Sequence, residues 1–448
     1  MSSAGGIRRW RAVVSAAAIV TVLVAGCGSS PSSEPTAEPN DLVHVPGDAA
    51  TISAAMDLVA PGGLVLVEPG TYAEEVTVDV EDVTLRGTDR NTVVIDGGGT
   101  RSFGVFASAD GVRIENLTVH STLFYGVLVT GLHDENGPLA HGGPGYTELD
   151  PSRFPPVQRF AIDHVTSYNN GLYGIYAFNA QHGTITNSYA SGSADSGFYV
   201  GQCEQCDILV AGNVAERNAI GFENANASDS VTIAGNRFSH NRIGMTLISN
   251  YQEAFTPQRD NLVVGNLVSD NTSADSPAHA LGGFGVGLAI NGGQGNRVVA
   301  NRIEGNPVVG VQLSNAEDLP AVGNQILDNI VGANGFDLAD TSAARAPSSG
   351  NCFDGTAATT ALPASLLRVT CPGGNAGEIA DGGAWPRVDV PVGMSFLQVP
   401  APPAQPSLQP GAAVEEIPGP LPAQVTMPAE ADFPVPEASL LADRSGVA

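Results

Sequence analysis

Pairs of asparagines five residues apart recur along the middle of the chain, and this repeat restricts the fold more than any other feature of the sequence. The first members of successive pairs lie 23, 30, 35 and 23 residues apart, so the period is close to 23 with two insertions. A fixed period of this length is typical of solenoids, in which each repeat packs only against its neighbours. The pairs are Asn213 and Asn218, Asn236 and Asn241, Asn266 and Asn271, Asn301 and Asn306, and Asn324 and Asn329.

Short strands that begin with glycine occur at the same point of most repeats. They start at Gly126, Gly174, Gly197, Gly221, Gly244 and Gly310. Such a segment cannot bury a face alone, but equivalent segments of successive coils can pair at about 4.8 Å. We therefore predict an all-β fold, a right-handed parallel β-helix over residues 41–340, with the asparagines stacked at corners in a left-handed backbone conformation. A leucine-rich repeat would show Leu at a fixed spacing, which this chain does not.

The ends of the coil need caps because they expose strand edges and an open core. Apolar residues at helical spacing, from Ile52 to Val59, predict a short N-terminal capping helix. Residues 341–375 are expected to cap the other end. Residues 376–448 are rich in Pro and Ala, with 13 of the 31 prolines between Pro386 and Pro436, so we predict a largely disordered tail.

Residues 1–27 have the features of an export signal. Three arginines precede an uncharged apolar stretch that ends in Val24-Ala25-Gly26-Cys27, which resembles a bacterial lipobox. An acylated Cys27, carrying palmitate-type chains, would anchor the protein to the outer face of the cell membrane. Residues 28–40 would then be a flexible linker. An ordinary signal peptide with an incidental cysteine is the alternative.

The other four cysteines fit an oxidising, extracytoplasmic location. An even number remains after Cys27, and the spacing predicts two local disulfides, Cys203–Cys206 and Cys352–Cys371.

The charge of the chain excludes several classes of function. The formal net charge is −27, which argues against a nucleic-acid partner. Every basic residue is Arg, so chemistry that depends on Lys is excluded, including Schiff bases and the phosphate-binding Lys of a P-loop.

The segment TISAAMDLVAPGGLVLVEPGTYAEEVTV, with VTLRGT and VVIDG after it, resembles the opening of pectate-lyase-like β-helix proteins with carbohydrate-binding and sugar-hydrolysis repeats. The resemblance covers about residues 41–340 and implies a polysaccharide or cell-wall glycan as partner, with lyase, hydrolase, epimerase or purely binding activity. The motifs Asn-Thr-Asp and Gly-His-Gly of polygalacturonases and Asp-Pro-His of alginate epimerases are missing. The repeats also resemble the β-helix accessory protein of nitrous oxide reductase maturation, so a non-catalytic surface scaffold or maturation protein is the alternative function.

A candidate site follows from stacking the glycine-led strands. The second residue after each glycine is expected to face solvent, which places Tyr176, Tyr199 and Glu223 in one column. Asp195 and Arg242 share a second column, two coils and about 10 Å apart. We assign Asp195 or Glu223 as general acid or base, Arg242 to a substrate carboxylate and Tyr199 to positioning or proton relay. Substrate binding is assigned to Tyr176, Arg237 and Asn224.

Cofactor and metal requirements are open at this point. No metal site is predicted, although the insertion with His133, Asp134, Glu135, His141, Glu148 and Asp150 has oxygen ligands that suit calcium. No cofactor is required by the proposed chemistry, and we expect a monomer. Whether the protein is an enzyme is left undecided by the sequence.

Overall fold

The computed structural model describes residues 40–139, 149–378, 384–408 and 414–447. Within these ranges, three long parallel sheets coil about one core, and each strand pairs with the equivalent strand of the next coil. This confirms the predicted parallel β-helix.

Sheet I has eleven strands. They are Asn40–Val45, Val59–Val67, Thr84–Gly87, Arg113–Glu115, Val157–Asp163, Ala180–Thr186, Ile208–Ala211, Val231–Ala234, Leu262–Val264, Arg297–Val299 and Gln325–Leu327. Sheet II also has eleven. They are Val76–Val78, Phe103–Ala107, Tyr125–Val129, Ile175–Phe178, Ser196–Cys203, Ile220–Ala227, Ile243–Ile248, Val286–Asn291, Val309–Ser314, Phe336–Asp340 and Ala361–Leu362.

Sheet III has ten strands. They are Gly70–Tyr72, Val93–Asp96, Thr118–His120, Thr166–Tyr168, Tyr189–Ser191, Val214–Glu216, Arg237–Ser239, Leu267–Ser269, Arg302–Glu304 and Ile330–Gly332. An antiparallel pair, His133–Asp134 and Gly137–Pro138, lies outside the coils. The helices are Ile52–Met56 and the 3-10 turns Ala364–Arg368, Phe396–Gln398, Glu430–Asp432 and Ala442–Arg444.

The glycine-led strands stack in sheet II as the repeat predicts. Phe198 pairs with Phe222, and Phe222 with Met245, and all three side chains are fully buried in the main core. Gly287, which the repeat pattern did not identify, has the equivalent position in strand Val286–Asn291, between the strands of Gly244 and Gly310. Alternation of side chains along each strand therefore fills the coil with apolar residues and turns every second residue outward.

The asparagine ladders are present, and their geometry differs from the prediction in two ways. Asn266 donates from its backbone N–H and its amide to the Asn301 side-chain oxygen, both at 2.9 Å. Asn301 in turn bonds to Asn329, and not to Asn324 as the 23-residue spacing suggested. Asn324 belongs to another ladder, below Asn296. The predicted last pair was therefore out of register.

The left-handed backbone conformation lies one residue before the ladder positions, and not at the asparagines themselves. Arg217, His240 and Asp270 have positive φ and precede Asn218, Asn241 and Asn271. The ladder asparagines point inward instead, where their amides satisfy buried carbonyl groups.

The N-terminal capping helix and the disulfides agree with the sequence. The predicted helix is shortened to Ile52–Met56, and the Thr51 hydroxyl accepts a hydrogen bond from the Ala54 N–H at 3.1 Å. Both predicted disulfides are formed, Cys203–Cys206 and Cys352–Cys371.

The prediction of a disordered tail is wrong for residues 384–408 and 414–447. The tail lies extended against the β-helix, and seven arginines of the coils donate hydrogen bonds to its backbone carbonyls. They are Arg86, Arg90, Arg113, Arg217, Arg237, Arg242 and Arg302. A proline-rich segment offers carbonyls but few N–H groups, so donors on the β-helix can fix it without regular secondary structure.

Candidate functional site

The predicted column on the outer face of sheet II exists, but its two tyrosines are not exposed. Tyr176 and Tyr199 are adjacent in the register, and each is only 1% exposed. They belong to a second apolar cluster outside the coil, which also includes Tyr125 and Tyr173. Leu149 and Phe154 of the insertion Gly131–Arg159 pack on this cluster. The assignment of Tyr176 to substrate binding is therefore wrong, because insertions cover both tyrosines.

Glu253 lies against the buried end of this cluster and was not predicted from the sequence as a site residue. The Tyr199 hydroxyl lies 3.0 and 2.9 Å from its two carboxylate oxygens. Burial and the nearby Glu223 charge raise the pKa of Glu253 to about 8, against smaller opposing effects of Tyr199 and Asn250. Burial and the Glu253 charge raise the pKa of Tyr199 well above its usual value. Near neutral pH the Glu253 carboxyl group is therefore mainly protonated, and the Tyr199 hydroxyl keeps its own proton.

Asp195 and Glu223 come together at the edge of the same face, as predicted. The Ser196 hydroxyl lies 2.8 Å from a Glu223 carboxylate oxygen and 3.2 Å from one of Asp195. His279, from the insertion between strands Leu267–Ser269 and Val286–Asn291, places its Nε2 atom 3.5 Å from Asp195. The side chains of Asp195 and His279 are 17% and 15% exposed, so solvent reaches both.

The electrostatics of this cluster raise the pKa values of two groups. Burial and the Asp195 charge raise the pKa of Glu223 to about 7, despite the opposing effects of Ser196 and His279. Burial lowers the pKa of His279, but the hydrogen bond to Asp195 and the charges of Asp195 and Glu223 outweigh it, so the net direction is upward. A carboxyl group with a pKa of about 7, beside an imidazole whose pKa is raised, is suited to proton transfer.

Arg242 and Arg237 do not have the substrate-binding roles assigned to them. Arg242 is 2% exposed, and its guanidinium donates to the Pro391 carbonyl at 2.7 Å and to Ser276 at 3.1 Å. Arg237 lies on sheet III, where it donates to the carbonyls of Ala438 and Leu440. Both guanidinium groups are hydrogen-bonded to the tail, whose position the repeat does not predict.

Asn224 was also assigned to substrate binding, and the structure contradicts this. It is fully buried and pairs with Val200 and Leu247 in the inward-facing column of sheet II. Its amide nitrogen and oxygen have no hydrogen-bond partner among the described residues. A side chain in the core cannot contact a ligand on the outer face.

Metal ligands do not converge in the described ranges, where no three His, Cys, Asp or Glu side chains are placed to share an ion. Of the insertion residues considered for calcium, His141 and Glu148 lie outside the described residues. His133 is in the antiparallel pair, packed edge-on to Phe106.

These features define a right-handed parallel β-helix with a cluster of ionisable side chains on the outer face of one sheet. Residues 69–256 and 153–326 match the family described as right handed beta helix region, and the chain belongs to that family. This confirms the fold that the pectate-lyase-like resemblance implied.

Several solved structures are similar to this chain. The A-module of mannuronan C-5 epimerase AlgE4 from Azotobacter vinelandii is 16% identical over 72% of this chain and 85% of its own, with a TM-score of 0.45. Pectate lyase Pel9A is 16% identical over 76% and 82%, with a TM-score of 0.39. An alginate lyase from a Paenibacillus species is 12% identical over 69% and 94%, with a TM-score of 0.36. Curated protein sequences gave no match.

Proposed function

We propose that the protein binds a polysaccharide across the outer face of sheet II and transfers protons to or from it through Glu223, with His279 as the neighbouring cation. The observation that carries this proposal is the shared position of these groups with Asp195, on a surface that solvent reaches. A group with a pKa near the working pH is present in both its acid and base forms, as general acid–base catalysis requires. The reaction would be of the lyase, epimerase or hydrolase type.

Each member of the cluster has a distinct role in this proposal. Glu223 is the proton-transfer group, because burial and the Asp195 charge bring its pKa to about 7. Asp195 orients His279. The Nδ1 atom of His279 accepts a hydrogen bond from the Leu281 N–H at 3.3 Å, so the proton of the neutral ring lies on Nε2 and faces Asp195. The imidazolium form would offset negative charge on the glycan.

An apolar surface beside the cluster suits the C–H face of a sugar ring. Phe124 is 37% exposed and lies in the same column as Asp195, two coils away. Leu172 lies between Phe124 and Asp195 in this column. Its N–H donates to the Phe124 carbonyl, and its carbonyl accepts from the Asp195 N–H. Leu281, next to His279 in the loop, is 92% exposed.

A glycan panel with matched variants tests the proposal. The purified chain would be incubated with uronate-containing and neutral polysaccharides, and unsaturated products, reducing ends and epimerised residues would be measured. We expect Glu223→Gln and His279→Gln to lower turnover by about a hundredfold or more, with binding retained. Glu304→Gln, on sheet III beside Arg302, is the control and should behave as wild type.

The same panel separates the alternatives. Binding without turnover in the wild type would leave a glycan-binding protein and overturn the proton-transfer role. Neither binding nor turnover across the panel would contradict the glycan proposal and favour the non-catalytic scaffold or maturation protein. Equal turnover of wild type and Glu223→Gln would show that the reaction takes place elsewhere.

We also propose that Cys27 is acylated and anchors the protein to the outer face of the cell membrane. The support is the export-like segment that ends in Val24-Ala25-Gly26-Cys27. In the described ranges no helix has the length and hydropathy of a membrane span. Cys27→Ala should move the protein from the membrane fraction to the soluble extracytoplasmic fraction, and unchanged fractionation would contradict the anchor.

A further inference from the structure

The loop that carries His279 is joined to the β-helix mainly near its two ends. The Ser273 N–H donates to the Asn241 carbonyl at 3.0 Å, and the Gly285 N–H donates to the Arg242 carbonyl at 2.8 Å. The residues between them form no strand or helix. His279 lies in the middle of this span, so its contact with Asp195 depends on what else holds the loop.

The C-terminal tail packs directly on this loop. The Met394 N–H donates to the Ser276 carbonyl at 3.1 Å. Gly393 lies so close to Ala278 that a Cβ added to the glycine would overlap the Ala278 backbone nitrogen. Ala278 immediately precedes His279, so the tail contacts the loop next to the residue that carries the imidazole.

Arg242 joins the same two segments from the β-helix side. Its Nε atom donates to the Ser276 hydroxyl of the loop, and a terminal nitrogen donates to the Pro391 carbonyl of the tail. The guanidinium also lies 5.6 Å from the centre of the Phe284 ring, at the far end of the loop. One buried arginine therefore fixes strand, loop and tail relative to one another.

Farther upstream, the tail is seated on sheet II itself. Trp385 and Val388 pack against the apolar cluster of Val286, Val309 and Ala339 on the outer face. This cluster lies on the coils that follow Arg242, so the segment 385–394 runs along the sheet from these coils to the His279 loop.

We propose that tail residues 391–394 are a positioning element of the candidate site, holding the loop 272–285 so that the His279 imidazole lies on Asp195. This inference rests on the proposed site but not on any turnover. His279 is faced by Asp195 and Glu223, with Glu253 behind Glu223. These carboxyl groups raise the pKa of His279 only while the loop is in place, and this gives the test a direct readout.

The test is a titration of His279 in the full-length chain by NMR of histidine-labelled protein. The chain has eight histidines, and the His279→Gln variant assigns the resonance. In wild type we expect the pKa of His279 above its ordinary value of about 6.5. In Gly393→Val we expect it to move down toward that value, because the added side chain separates the tail from Ala278.

Gly419→Val is the matched control. Gly419 is also a tail glycine without positive φ, and a Cβ there would meet no atom within 4 Å. Its variant should titrate as wild type. Arg242→Gln, which removes the bonds to Pro391 and Ser276, should reproduce the Gly393→Val shift, and it carries the test with Gly393→Ala if the valine variant does not fold.

An unchanged His279 titration in folded Gly393 and Arg242 variants would overturn the inference, whether or not the protein turns over a glycan. Conversely, a chain inactive on every glycan that still shows the shift would retain the positioning role and lose only the proposed function. If Gly419→Val shifts His279 as much as Gly393→Val does, the contact at Ala278 is not what places the imidazole.

Discussion

The two unusual carboxyl groups of the site, Glu223 and Glu253, lie on the outer surface of a sheet and not in the core of the coil. Insertions at one corner bring apolar side chains over this surface. They desolvate Glu223, which the repeat would leave in solvent, and Glu253, which lies on an insertion. Desolvation favours the protonated form. Glu223 thus becomes a proton-holding group at a regular outward position of the β-helix, and Glu253 becomes one on an insertion that packs over the same face.

Glu253 should make stability depend on pH in a predictable direction. Its pKa is about 8 in the folded protein against an ordinary value of 4.5, so the folded state binds the proton more tightly than the unfolded chain. Its stabilising contribution is complete below about pH 4.5 and is lost as the pH rises through about 8. Glu253→Gln removes this loss and keeps an oxygen that can accept from Tyr199.

We expect the free energy of unfolding of Glu253→Gln to rise relative to wild type by on the order of 3 kcal/mol between about pH 5 and pH 8. Urea unfolding at both pH values measures this difference. Glu304→Gln, an outward residue on sheet III, should show no such change. A constant difference between Glu253→Gln and wild type across the pH range would contradict the buried, protonated carboxyl group.

At the level of structural elements, the asparagine ladders hold successive coils in register. Asn266 donates to Asn301 and to the carbonyls of Ile233 and Val264, and accepts from Asn236. Asn266→Ala would leave several buried groups without partners, and each such group costs about 1–3 kcal/mol.

We therefore expect Asn266→Ala to lower the free energy of unfolding by about 3 kcal/mol or more. The exposed Asn136, in the turn of the antiparallel pair, is the control, and its alanine variant should change stability by less than about 0.5 kcal/mol. Denaturant unfolding followed by circular dichroism compares the two. A loss for Asn266→Ala as small as that of the control would show that the ladder does not stabilise the coils.

The sequence predicts the coil well because one physical requirement recurs in every turn. The residue after the glycine of each glycine-led strand points into the core and must be apolar, and the ladder position needs an amide, so the period is visible at Phe198, Phe222 and Met245. The prediction of the ladder fails at Asn324. Two ladders are built from asparagine, and the coil between Asn301 and Asn329 is longer than 23 residues, so the 23-residue spacing selects Asn324 from the other ladder.

The candidate site was predictable only where it belongs to the repeat. Asp195 and Glu223 have regular positions in sheet II, and their proximity follows from the stacking. His279 and Glu253 lie in insertions, whose course no period determines, so their approach to the same face could not be derived. The position of Arg242 in its column was correct, but a repeat pattern does not show what covers an outward side chain.

At the scale of the whole described molecule, the tail is the part for which the amino-acid composition gave the wrong prediction, disorder instead of an ordered, docked segment. Low hydrophobicity and many prolines usually indicate disorder because such a segment cannot bury enough apolar surface. Here ordering is driven instead by polar contacts to coils that are already rigid, together with a few apolar anchors such as Phe433 on Gly235 and Gly265. Arg444 inserts near the end of the tail and bonds to carbonyls of Asn187 and Gly212.

Hydrogen exchange at Gln405 tests whether the tail is docked in solution. The Asn91 amide donates to the Gln405 carbonyl at 2.9 Å and accepts from the Gln405 N–H at 2.8 Å, although Asn91 itself is exposed on the β-helix. Asn91→Ala removes both bonds without opening the core. Since each bond is worth about 0.5–1.5 kcal/mol, exchange at Gln405 should accelerate by about 5- to 100-fold.

Exchange followed by mass spectrometry with fragmentation measures this amide, and Asn136→Ala, remote from the tail, should leave its rate unchanged. Exchange in wild type at the rate of an unstructured peptide would contradict docking of this part of the tail. Because the segment 391–394 lies between this anchor and sheet II, release at Gln405 that leaves the His279 titration unchanged would show that the tail is held in independent sections. A coupled change in both would show instead that the tail acts as one cooperative strap across the β-helix.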